Sequence, residues 1–437
     1  MKSSRLVACL IILAFALCVI GMANVAASSV VEITVWDKPD PSDIFSIKRQ
    51  KEFDEKNPGI KVNHEASPPG DMRQSFMIAM AAGRGPDAWS PPFPFLPIVV
   101  GKGYAYPLDE YVPKFPEFKK ALPVFREMGT INGKLYGFPM NYYNTLFFYN
   151  RKLFREAGLP DRGPKDFKEL LSFAKKLKAK FGDDVTPFAM PTQWGDWFME
   201  YPVWANGADF TKANPDGTCK LTFTAKGVVD TLTMFRDWKF KEKIMNPSGL
   251  QEFDPMQRLI NDGKLAMSYA PSDWFKWVIK IPNADMGVAA PPAGSSGKGY
   301  SQLGGQFAII NPKISKAKRD AVMLYIVHMN GIEFQRKLAA QRALDGESHR
   351  FVGQVYEDVN PMEFIENPPE WIAVQRATMK NAKPEYYLKD RLSSYLCPVI
   401  EKVFTDQKVN IKDELAKAQA QAQKDVVDAF NKEQSAK

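Results

Sequence analysis

Apolar and polar positions alternate in the first readable stretch: Val31, Ile33 and Val35 are interleaved with Glu32 and Thr34 and run into Trp36 and Asp37. That period of two predicts a β-strand whose end carries an aromatic ring and an acid. A helical segment from Ile44 to Phe53 follows, stopped by Asn57-Pro58-Gly59, and Ile60 to Val62 opens a second strand. Asp71 to Ala82, rich in Met and Ala, reads as a helix, and Gly83-Arg84-Gly85-Pro86 turns the chain into a short third strand, Asp87 to Trp89. Strand, helix, strand, helix, strand is the pattern of a parallel α/β sheet. Ligands of such sheets bind beyond the carboxyl ends of the strands. Trp36, Asp37, Asp87 and Trp89 all fall there.

Further along, the bulky run Leu146 to Tyr149 predicts a buried strand, and Asn150 supplies a turn and polar start for a helix through Leu153 and Phe154. Phe167, Leu170, Leu171, Ala174 and Leu177 keep helical spacing behind Pro164. From Pro187 to Phe210 the chain turns aromatic and irregular, with Trp194, Asp196, Trp197, Glu200, Tyr201 and Trp204 crowded together. Asp230 to Phe240 reads as a helix. Asn261 to Met267 is a turn into a strand, with Asp273 and Trp274 just beyond. Pro291 to Gly305 reads as a surface loop, and Gly304-Gly305-Gln306 leads into a strand, Phe307 to Ile310. Ala321, Leu324 and Tyr325 share one face of the next helix. Near the end, Ile411, Leu415, Ala418, Ala422, Val426 and Phe430 form an apolar stripe that predicts a docking helix.

The stretch from Gly133 to Glu156 resembles the signature of family 1 extracellular solute-binding proteins, the maltose-binding-protein-like receptors of ABC importers. Pro139, Met140, Asn141, Phe147, Phe148, Tyr149, Asn150, Phe154 and Glu156 carry the resemblance. Leu146 departs from it, because a small residue is usual there. Asp262-Gly263-Lys264 and the pair Gly304-Gly305 extend the likeness, which is weakest from His349 to Lys408. The resemblance implies an α/β, two-lobed periplasmic-binding-protein fold of type II-like topology, with a ligand cleft between the lobes and hinge crossovers. Its lobes would comprise 28–140 with 303–344, and 141–302 with 345–437; a third crossover is expected near Leu344 to Ser348. Asn141, Tyr142 and Tyr143 would lie at the joint, with one of the two tyrosines facing the cleft.

Composition narrows the setting. Lys2 and Arg5 precede an apolar run, Leu6 to Ile20, and small residues follow, which is the layout of a secretory signal peptide. Residues 1–27 are read as that signal, with cleavage after Ala27, Ala23 or Ala26 being alternatives, and the mature chain is expected in the periplasm. Cys18 follows Leu17, which argues against a lipid anchor. The formal charge of +8 drops to about +6 without Lys2 and Arg5, and its lysines are interleaved with acids, which speaks against nucleic-acid binding. A phosphorylated or acidic sugar stays open, with Arg84, Arg342 or Arg391 as partners. Cys219 and Cys397, which remain in the mature chain, could pair in an oxidising compartment and are read as unpaired. His64, His328 and His349 are scattered, so no metal or other cofactor is expected. Neither a phosphate loop nor Gly-x-Ser-x-Gly occurs.

A carbohydrate presents C–H faces and hydroxyl rings, so its site needs aromatic faces beside carboxylates, amides or guanidinium groups. The ligand-binding candidates are Trp36, Asp37, Asp87, Trp89, Asn141, Tyr142, Tyr143, Trp194, Asp196, Trp197, Glu200, Tyr201, Trp274, Gly304, Gly305 and Gln306. For each tryptophan, filling a core is the competing role. The expected function is a monomeric, non-enzymatic receptor that captures a sugar, oligosaccharide or polyol and delivers it to ABC permease subunits. A secreted glycoside hydrolase with paired carboxylates is the alternative, and a surface adhesin or sensor a third reading.

Overall fold

The computed structural model describes residues 30–37, 43–66, 72–192, 194–214, 216–246, 253–272, 285–344, 354–360, 363 and 370–435. The expected signal, Asp273, Trp274, His349 and the crossover beyond Leu344 lie outside them. The alternating start forms β1 (Val31–Val35), followed by α1 (Ile44–Lys56), β2 (Ile60–His64), α2 (Met72–Ala81) and β3 (Ala88–Trp89). β1 pairs in parallel with both β2 and β3, as the strand–helix alternation requires.

One strand, β4 (Phe138–Asn150), then runs through both halves of the molecule. Asn150 ends it as predicted, accepting a hydrogen bond from the Leu153 N–H and so capping α3 (Arg151–Glu156). The chain continues as α4 (Phe167–Phe181), α5 (Gly195–Ala205), α6 (Lys226–Phe240), β5 (Met267–Pro271), β6 (Met286–Ala289) and β7 (Ser301–Ile310). Next come α7 (Lys316–Asn330), α8 (Ile332–Leu344), β8 (Ala382–Pro384), α9 (Lys389–Thr405), α10 (Ile411–Ala422) and α11 (Asp428–Ser435). These strands make an eight-stranded mixed sheet, β6-β4-β7-β3-β1-β2, with β5 added on β4 and β8 on β7.

Two apolar cores divide that sheet. The first gathers Ile33, Phe53, Phe76, Phe125, Phe138, Tyr142 and Phe307, and the second Leu146, Phe147, Phe188, Trp204, Phe235, Leu396 and Leu415. β4 leaves one core and enters the other within four residues, between Tyr142 and Leu146. There it exchanges its antiparallel partner β7 (Leu303 opposite Asn144) for β5 (Thr145 opposite Pro271). The two cores are the two lobes. Leu146, the departure from the family pattern, is fully buried opposite Ala270, whose small side chain makes room in the ladder. Val355, Tyr356 and Val359, from the segment expected in the second lobe, pack into the first core.

The structure departs from the sequence reading in four further places. Pro187–Phe210 is not irregular throughout, because α5 occupies most of it and all eleven of its residues are buried. A helix buried on every side has no polar face and shows no amphipathic stripe, and the internal Pro202 argues against a helix. The loop Pro291 to Gly305 ends early, since Ser301 to Gly305 are buried in β7. Leu324 is exposed while Val322 and Ile326 turn inward. At the chain's end a π-helical turn, Gln423–Val427, separates α10 from α11 and puts Val427 rather than Val426 into the core. No helix among the described residues is long and apolar enough to cross a membrane.

Candidate functional site

A cavity of about 410 Å³ lies where α5 and α9 meet the middle of β4 and the N-terminal end of α2. Gly195 permits the approach of the two helices, because a Cβ there would stand 2.7 Å from Cγ2 of Ile400. α5 contributes Trp194, Asp196, Trp197 and Phe198 to the cavity wall, and β5 contributes Pro271. The segment before α9 and its first turn contribute Glu385, Lys389, Asp390 and Ser393. Leu388 makes the bend between them in the left-handed region, φ 62°, a conformation bulky residues seldom adopt. From β4 comes Tyr143, whose ring lies over Gly304 so closely that a Cβ there would come within 2.2 Å of it. Arg73 reaches in from α2, the first lobe's contribution among the described residues.

Hydrogen bonds hold these groups in place. Trp197 donates its indole N–H to Oε1 of Glu385 at 3.0 Å, which leaves the ring beside the cavity while Trp194 stands half-exposed at its rim. Asp196 is buried and accepts from the Tyr386 hydroxyl at 2.8 Å and from its neighbour's backbone, Trp197 N–H, at 2.8 Å. Lys389 sits between Asp196 and Glu385 at 3.7 and 3.9 Å. These ion pairs are too long for hydrogen bonds. Its ammonium has no hydrogen-bond acceptor among the described residues, so its donors are available to a ligand oxygen in the cavity. Burial pulls the Lys389 ammonium's pKa down, but the carboxylates of Glu385 and Asp196 outweigh it and hold the pKa above its ordinary value. Burial pushes the Glu385 carboxyl up against the opposing pull of Lys389. The combination of an aromatic face, carboxylates and an ammonium with open donors suits a hydroxyl-bearing ligand.

Of the sixteen candidates, Tyr143, Trp194, Asp196 and Trp197 come together on this cavity. Glu200 and Tyr201, one helical turn further, do not reach it. Glu200 is fully buried and accepts from Gln302 Nε2 and the Tyr386 N–H, and burial with the nearby Glu385 pushes its pKa well up. Tyr201 packs on Tyr269, ring centroids 4.7 Å apart. Tyr142 turns into the first core against Phe125, so Tyr143 is the tyrosine on the cavity. Asn141 and Gln306 face each other in the β4–β7 ladder, and Gly305 there has φ 150°. Trp36, Asp37 and Trp89 border a separate space of about 20 Å³ in the first lobe. Trp89 stacks on Phe76 at 4.1 Å, while Trp36 meets the same ring edge-on and donates to Glu65 at 3.3 Å. Asp37 meets His64 at 2.8 Å and accepts from Tyr325 at 3.2 Å. Asp87 accepts from the Thr34 N–H at 2.8 Å and pairs with Lys318 at 3.0 Å.

Sequence reasoning missed Arg73, Glu385, Lys389, Asp390 and Ser393. A carboxylate and a lysine four residues apart at a helix start was the available signal, and surface helices carry the same spacing. Cys219 and Cys397 are free thiols, and Cys397 donates to Asp196 at 3.3 Å beneath the cavity. His328 is structural, bonded to the Arg49 carbonyl at 2.9 Å. Arg391 lies over the Phe430 ring, away from the cavity lining. No cluster of His, Cys, Asp or Glu among the described residues has the geometry to hold a metal ion.

Known proteins share this architecture. A binding protein of Brucella abortus is 28% identical over 64% of this chain and 67% of its own length. The maltooligosaccharide ABC transporter solute-binding lipoprotein of Streptococcus pneumoniae is 26% identical over 67% of each chain. The fold also matches maltose-bound MalE3 of T. maritima at a TM-score of 0.72 and 19% identity, covering 90% of this chain and 99% of that one. The family model for bacterial extracellular solute-binding proteins matches residues 48–344, and with its two lobes on one continuous sheet the chain belongs to that family.

Proposed function

We propose that the chain is the extracytoplasmic receptor of an ABC importer, exported by its N-terminal segment, that captures a carbohydrate or polyol between its lobes. The observation that carries the ligand class is the cavity beside Trp197. There an indole held by Glu385 stands next to an ammonium, Lys389, whose donors have no hydrogen-bond acceptor among the described residues. The ring suits the C–H face of a sugar, and the charged groups suit its hydroxyls. Support comes from the Streptococcus pneumoniae relative, which handles maltooligosaccharides, and from the maltose held by the T. maritima protein. The lobes, 28–140 with 303–344 and 141–302 with 345–437 except that Val355, Tyr356 and Val359 join the first, move about the crossovers, and ligand contacts with both lobes favour the closed arrangement. Permease subunits then read that arrangement on a monomeric receptor. Micromolar affinity requires roughly 8 kcal/mol net.

The test is tryptophan fluorescence and melting temperature of the purified mature chain against mono- and oligosaccharides, polyols and sugar phosphates, with the ligand recovered afterwards. A saturable shift with a sugar or polyol recovered intact is the expected result. Recovery of cleaved product would replace the receptor with a hydrolase, and silence across the panel would remove the carbohydrate reading.

A further inference from the structure

Among the described residues whose large apolar side chains stand exposed, Trp194 is the one aromatic; the others, such as Ile44 and Leu324, are aliphatic. Its indole is 49% exposed and has neither a hydrogen-bond nor a ring partner among the described residues. A single exposed apolar side chain means little by itself. The place of this one gives it meaning. Trp194 is the N-cap of α5, three residues and so nearly one helical turn ahead of Trp197, and both rings line the same cavity. Trp197 lies inside, tied to Glu385, whereas Trp194 stands at the rim with its face unused. Trp36 and Trp89, by contrast, both pack on Phe76.

A single sugar ring seated on Trp197 uses that indole and the donors of Lys389. It leaves the Trp194 face in water. A second ring, joined to the first through a glycosidic bond and lying toward the mouth, meets that face with its C–H groups and takes apolar surface on both partners out of water. We propose that Trp194 is the outer platform of a two-ring site, so that the receptor selects carbohydrates of two or more rings over single rings. The proposal rests on the carbohydrate reading above and names the size class within it. Because the Trp194 side chain has no partner in the fold to lose, its role can be tested without disturbing the core.

Calorimetric titration of the full mature chain with gluco-, galacto- and xylo-configured series of one to four rings tests the platform. In the series that binds, the two-ring member should bind about tenfold more tightly than the single ring, the step that one added stacking contact provides. Trp194→Ala should erase that step, its loss falling on two-ring binding far more than on single-ring binding, and its melting temperature should match the wild type. Trp194→Tyr keeps an aromatic face and should keep part of the step. A step of wild-type size in Trp194→Ala overturns the platform, as does a wild type that binds single rings as tightly as longer members. Either result leaves the receptor standing. Absence of binding to every member at every length overturns the carbohydrate reading and the platform together.

Discussion

Each lobe carries a cluster of tryptophans beside acids, and the two clusters behave differently. In the first lobe, Trp36, Asp37, Asp87 and Trp89 sit at strand ends, and nearly every polar group has a partner within that lobe: Asp87 has Thr34 and Lys318, and Asp37 has His64 and Tyr325. The space left beside Trp36 and Trp89 is about 20 Å³. In the second lobe, Trp197 has the same 8% exposure as Trp36, yet it borders about 410 Å³ and an ammonium without a short hydrogen bond among the described residues. Residue type and exposure are therefore poor guides to a site. What separates the clusters is whether neighbouring side chains have already used the faces and donors.

The sharpest way to break this comparison is to truncate one tryptophan from each cluster. Trp89→Ala removes a ring stacked on Phe76 and should cost about 3–5 kcal/mol of stability, with ligand affinity per folded molecule nearly unchanged. Trp197→Ala should weaken ligand binding about 100-fold, as for a buried aromatic anchor, and lower stability by less. Parallel denaturant melts and titrations decide it, and equal affinity losses in the two variants would dissolve the distinction.

Glu200 sharpens the contrast between the cavity and the layer beneath it. Glu200→Ala leaves the Tyr386 N–H and Gln302 amide without their acceptor and should cost about 3 kcal/mol. Glu200→Gln keeps an acceptor for Tyr386 and should be far milder. Because burial raises the Glu200 pKa, its stabilising form is the protonated one. That contribution is complete below its ordinary value of 4.5 and is lost as pH rises through the elevated folded value. Stability of the wild type should fall along that interval, and Glu200→Gln should flatten the slope in a melting-temperature series from pH 4.5 upward. Glu169 is held down to about 2 by Arg162, with the opposite sign, and acts below that interval.

Asp87→Ala comes next in size. Losing the Thr34 and Lys318 contacts should cost about 2 kcal/mol and leave ligand affinity unchanged, whereas a matching affinity loss would move the first-lobe cluster into the site. The smallest effect belongs to Lys102→Met, which removes a pair with Glu433 at 3.9 Å that is exposed on both sides, since exposed ion pairs of this kind contribute little; its melting temperature should match the wild type.

Much of the molecule was legible in sequence for physical reasons. Alternation over Val31 to Val35, the glycine and proline stops, and Asn150 as a helix cap are local signals, and each formed where predicted. The Gly133 to Glu156 pattern located the strand that passes between lobes. It also narrowed the cavity tyrosine to two neighbours, and the period-two geometry of β4 sends Tyr142 to the core and Tyr143 to the cavity. α5 was hidden because complete burial erases the periodicity that announces a helix. Trp194, Asp196 and Trp197 could be picked from it as chemistry, but Glu200 and Tyr201, equally suitable by type, lie one turn deeper.

Sequence alone therefore determined the fold class, the family and the kinds of side chain a ligand would meet, because local patterning and composition encode those directly. Tertiary structure decided which of those side chains face empty space. Arg73 and Asp390 meet across 317 residues, and Lys389 lies between Asp196 and Glu385 only because α9 crosses α5 at Gly195. Neither juxtaposition has a local sequence signal, since both follow from the packing of helices that are distant in the chain.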